Sequence, residues 1–257
     1  MTAYHQLLDA TVNYLEGERS HGRRHVNVNP EKLSVLFRPL PKHPAQPIVE
    51  TACDSMADLR AQALACTRCE HLVASRKQVV FGVGNEAADI LFVGEAPGAD
   101  EDAQGEPFVD AAGGLLTKML KAMGLAREDV YIANILKCRP DTPNQRSDNR
   151  APTAEEMATC SPWLHRQIDF IQPKAIVALG KVAVGGLLEM ENAPITKMRG
   201  TWQTYRGIPL MPTFHPAYLL HQESMQNKRK VWEDLLAVME KTGLSISEKQ
   251  RGFFLKH

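Results

Sequence analysis

DILFVGEAPGADEDAQGEPFVDAAGGLL, residues 89–116, is the stretch on which the fold turns. Its apolar run, ILFV at 90–93, has no polar alternation, the pattern of a strand covered on both faces. The run ends in a glycine-bearing loop, and LLTKMLKAMGL at 115–125 then repeats apolar residues at helical spacing. Downstream the same alternation recurs: VYIANIL (130–136) before TAEEMATCSPWLHRQIDFI (153–171), AIVALG (175–180) before KVAVGGLLEM (181–190), and IPLMPTF (208–214) before KRKVWEDLLAVMEKT (228–242). Strands alternating with helices predict an α/β fold, a parallel sheet with helices on both faces. Ligands in such folds sit at the carboxyl ends of the strands, so the loops after residues 93, 134 and 214 are expected to converge on one site.

Upstream, residues 4–17 carry Leu7, Leu8, Val12 and Leu15 on roughly one helical face. From His21 to Pro47 the chain turns polar and proline-bearing, the composition of a linker. The expected organisation is therefore an N-terminal helix and linker over 1–47, a catalytic domain over 48–245 and a C-terminal tail over 246–257. At 257 residues and 44% hydrophobic side chains, the chain can bury one core of the size usual for α/β enzymes. Its 30 basic and 30 acidic residues cancel, so any surface for a polyanion must arise from local clustering, such as His221, Lys228, Arg229 and Lys230. No run approaches the roughly 20 apolar residues that span a bilayer, and the first residues lack the apolar core of a signal peptide. The expectation is a cytoplasmic monomer with no membrane partner.

Five cysteines are present, Cys53, Cys66, Cys69, Cys138 and Cys160, and in a reducing compartment the Cys-x-x-Cys step at 66–69 reads as metal or redox chemistry. With Cys138 and Cys160 it makes a local pair and two distant partners, enough for a tetrahedral zinc or an iron–sulfur cubane; thiolate softness does not choose between them. Thr153 and Glu156 form a T-x-x-E capping box, so a helix starts near 154 and carries Cys160 about two turns in. Cys53 has no partner spacing and reads as structural.

A set of motifs in fixed order ties these features together: CTRC (66–69), VFGVGN (80–85), LFVGEAPG (91–98), EDAQGEPFV (101–109), YIANILKCRP (131–140), CSPWL (160–164), VALG (177–180) and TFHPAYLL (213–220). Over residues 62–241 the chain resembles the family 4 uracil-DNA glycosylases, the iron–sulfur branch of their superfamily. The resemblance implies a three-layer α/β/α fold with a four-stranded parallel sheet, a [4Fe–4S] cluster on Cys66, Cys69, Cys138 and Cys160, and hydrolytic removal of uracil from DNA in base excision repair. Phe108 is then expected to stack on the extruded base, Asn134 to read O4 and N3–H, and Glu101 to close off the C5 edge against thymine. His215 is expected to stabilise negative charge on O2 of the departing base, the largest kind of catalytic term in a dry pocket. Glu95 and Ala96 follow Gly94 at the strand tip, where the family places a residue that sets uracil and the attacking water. Leu219 and Leu220, with Tyr218, are placed to wedge into the space the base leaves, and Lys228 and Arg229 to meet phosphates.

Three features depart from the family or its relatives. The better-known branch of the superfamily holds its water with an Asp where this chain has Ala96, so that task falls to Glu95 or to backbone carbonyls. Asp110 stands where the family usually has glycine, and the stretch between Cys138 and Cys160 carries a polar insertion near 141–149. Two rival functions fit parts of the sequence, a module that traps uracil without turnover and a cluster-bearing electron carrier. The first needs a histidine that the insertion lacks, and the second gives no reason for Phe108, Asn134 and His215.

Overall fold

The computed structural model describes residues 3–23, 53–140 and 150–255; most of the expected linker and the insertion at 141–149 lie outside them. Two compact units divide the chain, Met1–Pro44 and Ala45–His257. The first contains α1 (Ala3–Ser20), where helical spacing predicts it. The second runs α2 (Met56–Leu64), α3 (Glu70–Ser75), β1 (Val83–Gly84), β2 (Ile90–Gly94), α4 (Ala99–Gln104), α5 (Ala111–Met123), a 3-10 turn (Arg127–Asp129), β3 (Tyr131–Asn134) and α6 (Ala154–Ile171). It continues with β4 (Ala175–Leu179), α7 (Gly180–Leu188), α8 (Ile195–Met198), β5 (Gln203–Tyr205), β6 (Ile208–Thr213), α9 (Pro216–His221), α10 (Met225–Thr242) and α11 (Glu248–Arg251). None of the described helices is long and apolar enough to cross a membrane.

The strands form one sheet in the order β1-β3-β2-β4-β6-β5. Its centre, β3-β2-β4-β6, is the four-stranded parallel array that was expected. The expected count of four is corrected to six, because β1 adds antiparallel to β3 and β5 adds antiparallel to β6. Both additions are two or three residues long and carry no apolar run, so they leave no periodic signal; they cover backbone edges that would otherwise stay unpaired. A two-residue turn joins β5 to β6, with Arg206 at φ 50° and Gly207 at φ 81°, the doubly left-handed geometry that matches the twist of a hairpin.

Successive residues of the central strands feed opposite faces, and this builds the three layers. Leu91, Val93, Tyr131, Ala133, Ile176, Ala178 and Leu210 pack on the side of α2, α6 and α7. Ile90, Phe92, Ile132, Val177, Leu179 and Met211 pack on the side of α5 and α10. The capping box of α6 is present, with Glu156 N–H donating to Thr153 Oγ1 (3.1 Å) and Thr153 N–H to Glu156 Oε2 (2.7 Å). Farther along α6, Pro162 has no N–H for the Ala158 carbonyl, and the Ser161 hydroxyl donates to that oxygen instead (3.1 Å).

Residues 246–255, expected as a tail, are tied to the domain. Trp232 Nε1 donates to the Gln250 carbonyl (2.6 Å), Gln250 Nε2 to the Ala122 carbonyl (2.9 Å), and Phe253 packs on Trp232. Hence α11 joins α5 to α10.

Beneath the sheet, Gln167 of α6 is fully buried and triply bonded. Its Nε2 donates to the Phe81 carbonyl (2.9 Å) and lies 3.2 Å from the Tyr131 hydroxyl, and its Oε1 accepts from the buried Lys137 ammonium (2.6 Å). Gln167→Leu strands the buried Lys137 amine, whose pKa burial lowers to about 7, and a buried carbonyl, so it should destabilise the domain by about 2 kcal/mol, the scale of leaving a buried polar group unsatisfied. Urea unfolding at pH 7 measures this; a loss well under 1 kcal/mol would mean that water replaces Gln167.

Candidate active site

At the carboxyl ends of β2, β3 and β6 lies a cavity of about 200 Å³, where the three loops converge as expected. Its walls include Glu95, Ala96, Glu101, Phe108, Asp110, Asn134 and His215, and also Pro140 and Arg150. Asn134 ends β3 opposite Gly94, the last residue of β2. A Cβ on Gly94 would lie 2.4 Å from Asn134 Oδ1 and 2.5 Å from Phe108 Cζ, so only glycine lets the amide and the ring share that space. The buried Asn134 amide makes no hydrogen bond to the other described residues and is left to a ligand.

Phe108 is buried with φ 56°, a left-handed backbone costing an aromatic residue about 1–3 kcal/mol. Several contacts hold it there. Glu101 accepts from the N–H groups of Val109 (3.0 Å) and Asp110 (3.2 Å) on one oxygen and of Gly98 (3.1 Å) on the other. Arg127 donates to the carbonyls of Pro107 (2.8 Å) and Phe108 (3.1 Å). The start of α5 packs so closely that a Cβ on Gly113 would fall 1.8 Å from the Phe108 carbonyl oxygen. Glu101, expected to screen the C5 edge, is thus engaged through both carboxylate oxygens in fixing the loop. Asp110, the departure from the family, caps α5 by accepting from Gly113 N–H (2.9 Å) and sits at the pocket mouth, where its charge acts on His215.

His215 caps α9, its Nδ1 accepting from Ala217 N–H at 3.2 Å. That bond assigns the proton of the neutral ring to Nε2, leaving one N–H donor for the cavity. Burial pushes the imidazole pKa down to about 4, against a smaller opposing pull from Asp110, so the ring is neutral at physiological pH. Its plane lies 30° from that of Phe108, with ring centroids 5.6 Å apart. Burial raises the pKa of the Glu95 carboxyl, partly offset by Lys181. That carboxylate has no hydrogen bond from the described residues and faces the cavity, whereas Ala96 contributes only a methyl group.

The residues expected to meet DNA divide. Leu220 and Tyr218 of α9 are exposed, at 46% and 40%, but Leu219 is 5% exposed and belongs to the core beside α5. Leu219 as a wedge is therefore corrected: the helical turn points it inward and its neighbour outward. Arg229 is likewise withdrawn from the expected strip, because its guanidinium binds Glu233 and the carbonyls of Arg251 and Phe253. Lys228 pairs with Glu223.

Across the sheet edge, Cys66, Cys69, Cys138 and Cys160 are free thiols whose charges act on one another. Burial first, then Cys138 and Cys66, push the Cys69 thiol up to about 11; burial pushes Cys160 up to about 12. Burial also raises Cys66, but Arg68 outweighs it and lowers that thiol below its ordinary value. Donors surround the sulfurs: Arg76 Nη1 to Cys138 (2.9 Å), Arg68 Nε to Cys66 (3.4 Å) and Lys137 N–H to Cys160 (3.2 Å). Two further buried donors, Arg68 Nη2 and Trp163 Nε1, have no acceptor. Among the described residues no three metal-ligating side chains stand in ligand geometry.

Arg68, Arg76 and Lys137 were missed as site residues, although each lies in or near a cysteine motif, and their charge was the available signal. Arg150 at the cavity rim, ion-paired with Glu156, and Arg127, distant in sequence from the loop it grips, left none.

Residues 81–236 match the model of the uracil DNA glycosylase superfamily. A type-4 uracil-DNA glycosylase of Thermotoga maritima is 47% identical over 173 residues, covering 66% of this chain and 85% of that protein. One from Archaeoglobus fulgidus is 40% identical over 208 residues, covering 78% and 98%. A type-5 uracil-DNA glycosylase of Pyrobaculum aerophilum is more distant, at 31% over 185 residues, 60% of this chain and 79% of that protein. With the motif order, the fold and the pocket in agreement, the chain belongs to the type-4 uracil-DNA glycosylases of the uracil DNA glycosylase superfamily.

Proposed function

We propose that the cavity receives a uracil extruded from DNA and that the protein hydrolyses its N-glycosidic bond, leaving an abasic site. The observation that carries this reading is the neutral, buried His215, whose remaining N–H donor shares a cavity with the open Asn134 amide and the Phe108 ring. Phe108 stacks on the base, and Asn134 donates through Nδ2 to O4 and accepts N3–H through Oδ1. When the bond between C1′ and N1 breaks, its electron pair moves into the ring and charge collects on O2. His215 Nε2–H donates to that oxygen; a neutral donor stabilises the anion without first transferring a proton. Glu95 holds the water that attacks C1′ and takes its proton, the task that Ala96 cannot perform. Leu220 enters the vacated stack. On the DNA side, Lys228 and Lys230 remain candidates for phosphates, with Lys228 first exchanging its Glu223 partner, and the working unit is a monomer.

Cys66, Cys69, Cys138 and Cys160 would hold the [4Fe–4S] cluster, which when bound ties the segment before α3, the loop after β3 and α6 into one unit. The donor set fits it: a sulfur-rich group would supply an acceptor for the unpaired Arg68 Nη2–H, next to the Cys66 thiol that Trp163 already approaches closely enough to lower its pKa. The guanidinium groups of Arg68 and Arg76 suit an anionic cluster.

Four outcomes test these roles. His215→Ala should slow single-turnover excision from uracil-containing DNA by roughly 10²–10³, the usual effect of deleting one preorganised oxyanion donor. In a Glu95→Gln background, which removes the other pocket group of shifted pKa, residual activity should stay level as pH falls from 8 and decline only near pH 4, as His215 gains its proton. An acid limb at the ordinary imidazole value would contradict the buried neutral donor.

Asn134→Asp should lose most uracil excision and gain weak release of cytosine, whose N4 amino group needs an acceptor, increasingly so at lower pH where the protonated acid can donate to N3. Mass spectrometry of bases released from single strands reads both products; wild-type uracil release would remove Asn134 from base reading. Protein purified without oxygen should contain iron and acid-labile sulfide in equal amounts, and stoichiometric zinc without iron would replace the cluster with a zinc site.

A further inference from the structure

Among the described residues that line the cavity, Phe108 alone combines a side chain with a left-handed backbone. Its ring position depends on that backbone: relaxing φ to the extended region rotates the peptides on either side and swings the ring away from His215. Both of those peptides are gripped. On the N–H side the grip is Glu101 of the cavity wall, which holds only the peptide after Phe108, through Val109 N–H, and the next one, through Asp110 N–H. On the carbonyl side it is Arg127, which lies outside the cavity, on the 3-10 turn that leads into β3. Its two terminal nitrogens reach consecutive carbonyls, Pro107 at 2.8 Å and Phe108 at 3.1 Å, 20 and 19 residues away in sequence. A planar fork can hold two carbonyls at a fixed mutual angle, and a lysine ammonium cannot.

We propose that Arg127 is a positioning residue for base recognition, locking the strained Phe108 turn so that its ring is a ready stacking platform when the base arrives. The inference rests on the reading of Phe108 as the stacking residue. Without Arg127 the turn relaxes for part of the time, and the observed rate falls with the fraction still competent. Glu101 alone does not prevent this, because it holds only the peptide after Phe108, and without Arg127 the Pro107 carbonyl before it is free to turn about φ.

The test is single-turnover excision by the full-length protein in four forms: wild type, Arg127→Met, Phe108→Ala and the double variant, with Arg127→Lys as a fifth. Arg127→Met should slow excision at saturating DNA roughly tenfold, the scale of releasing one strained residue. Affinity for abasic-site DNA, which has no base to stack, should not change. Arg127→Lys should recover part of the loss. In the Phe108→Ala background the same change should cost nothing further, because the platform is already gone. Equal losses in both backgrounds, or a matching fall in abasic-site affinity, would make Arg127 a general structural residue and overturn the proposal; so would an unchanged rate in Arg127→Met. Hydrogen exchange at the Val109 and Asp110 amides reads the clamp without activity and should accelerate in Arg127→Met. Absence of uracil excision by the wild type would instead overturn the glycosylase reading, and unaltered exchange would overturn the clamp.

Discussion

The bare α-carbon of Gly94, facing Asn134 across two parallel strands, is the constraint on which the pocket depends. Parallel pairing brings the ends of β2 and β3 level, and without a Cβ on one of them the Asn134 amide and the Phe108 ring occupy the same volume at the sheet's carboxyl edge. From that contact the rest follows in sequence. Phe108 must turn back over the strand end, which requires its left-handed backbone, and the turn in turn requires Glu101, Arg127 and a glycine at 113 to hold it. A charged residue on each side of one short loop holds that strained turn in place.

Burial sets the protonation of two groups that face the cavity. The imidazole of His215 is taken out of water and given a backbone N–H on Nδ1, so its remaining proton points at the cavity and its charge is suppressed. Glu95 is partly buried with Lys181 as its counterweight, and its carboxyl faces the cavity without an internal hydrogen bond from the described residues. One neutral donor and one unengaged carboxylate suit a reaction that separates charge across a breaking bond, an anion on the base side and an electron-poor carbon on the sugar side.

The thiol site is tied to the same strand. Cys138 follows Asn134, the last residue of β3, by four residues, so whatever fixes the cysteine loop also fixes the strand end that lines the cavity. Arg68, Arg76 and the buried Lys137 gather around the sulfurs, and Lys137 is held in turn by Gln167 of α6. The region thus gathers hydrogen-bond donors around the four cysteine sulfurs.

The sequence by itself determined the parallel centre of the sheet, because strands buried on both faces must be apolar throughout and write unbroken runs such as ILFV and AIVAL. It also determined the start of α6, through a capping box that is a local bond, and it singled out Asn134, Phe108 and His215, which the fold brings to one cavity. Only the tertiary structure decided the rest. The edge strands β1 and β5 are too short to carry a period and exist because their neighbours' edges need partners. Leu219 and Leu220 are chemically identical, and only their rotation on α9 sends one to the core and the other to solvent. Arg229 reads as a phosphate contact until α11 folds back and takes its guanidinium. Glu101 and Arg127 look like surface charges in the chain, yet they meet across a single turn, since hydrogen bonds to backbone carbonyls and amides leave no mark on the residue types that supply them.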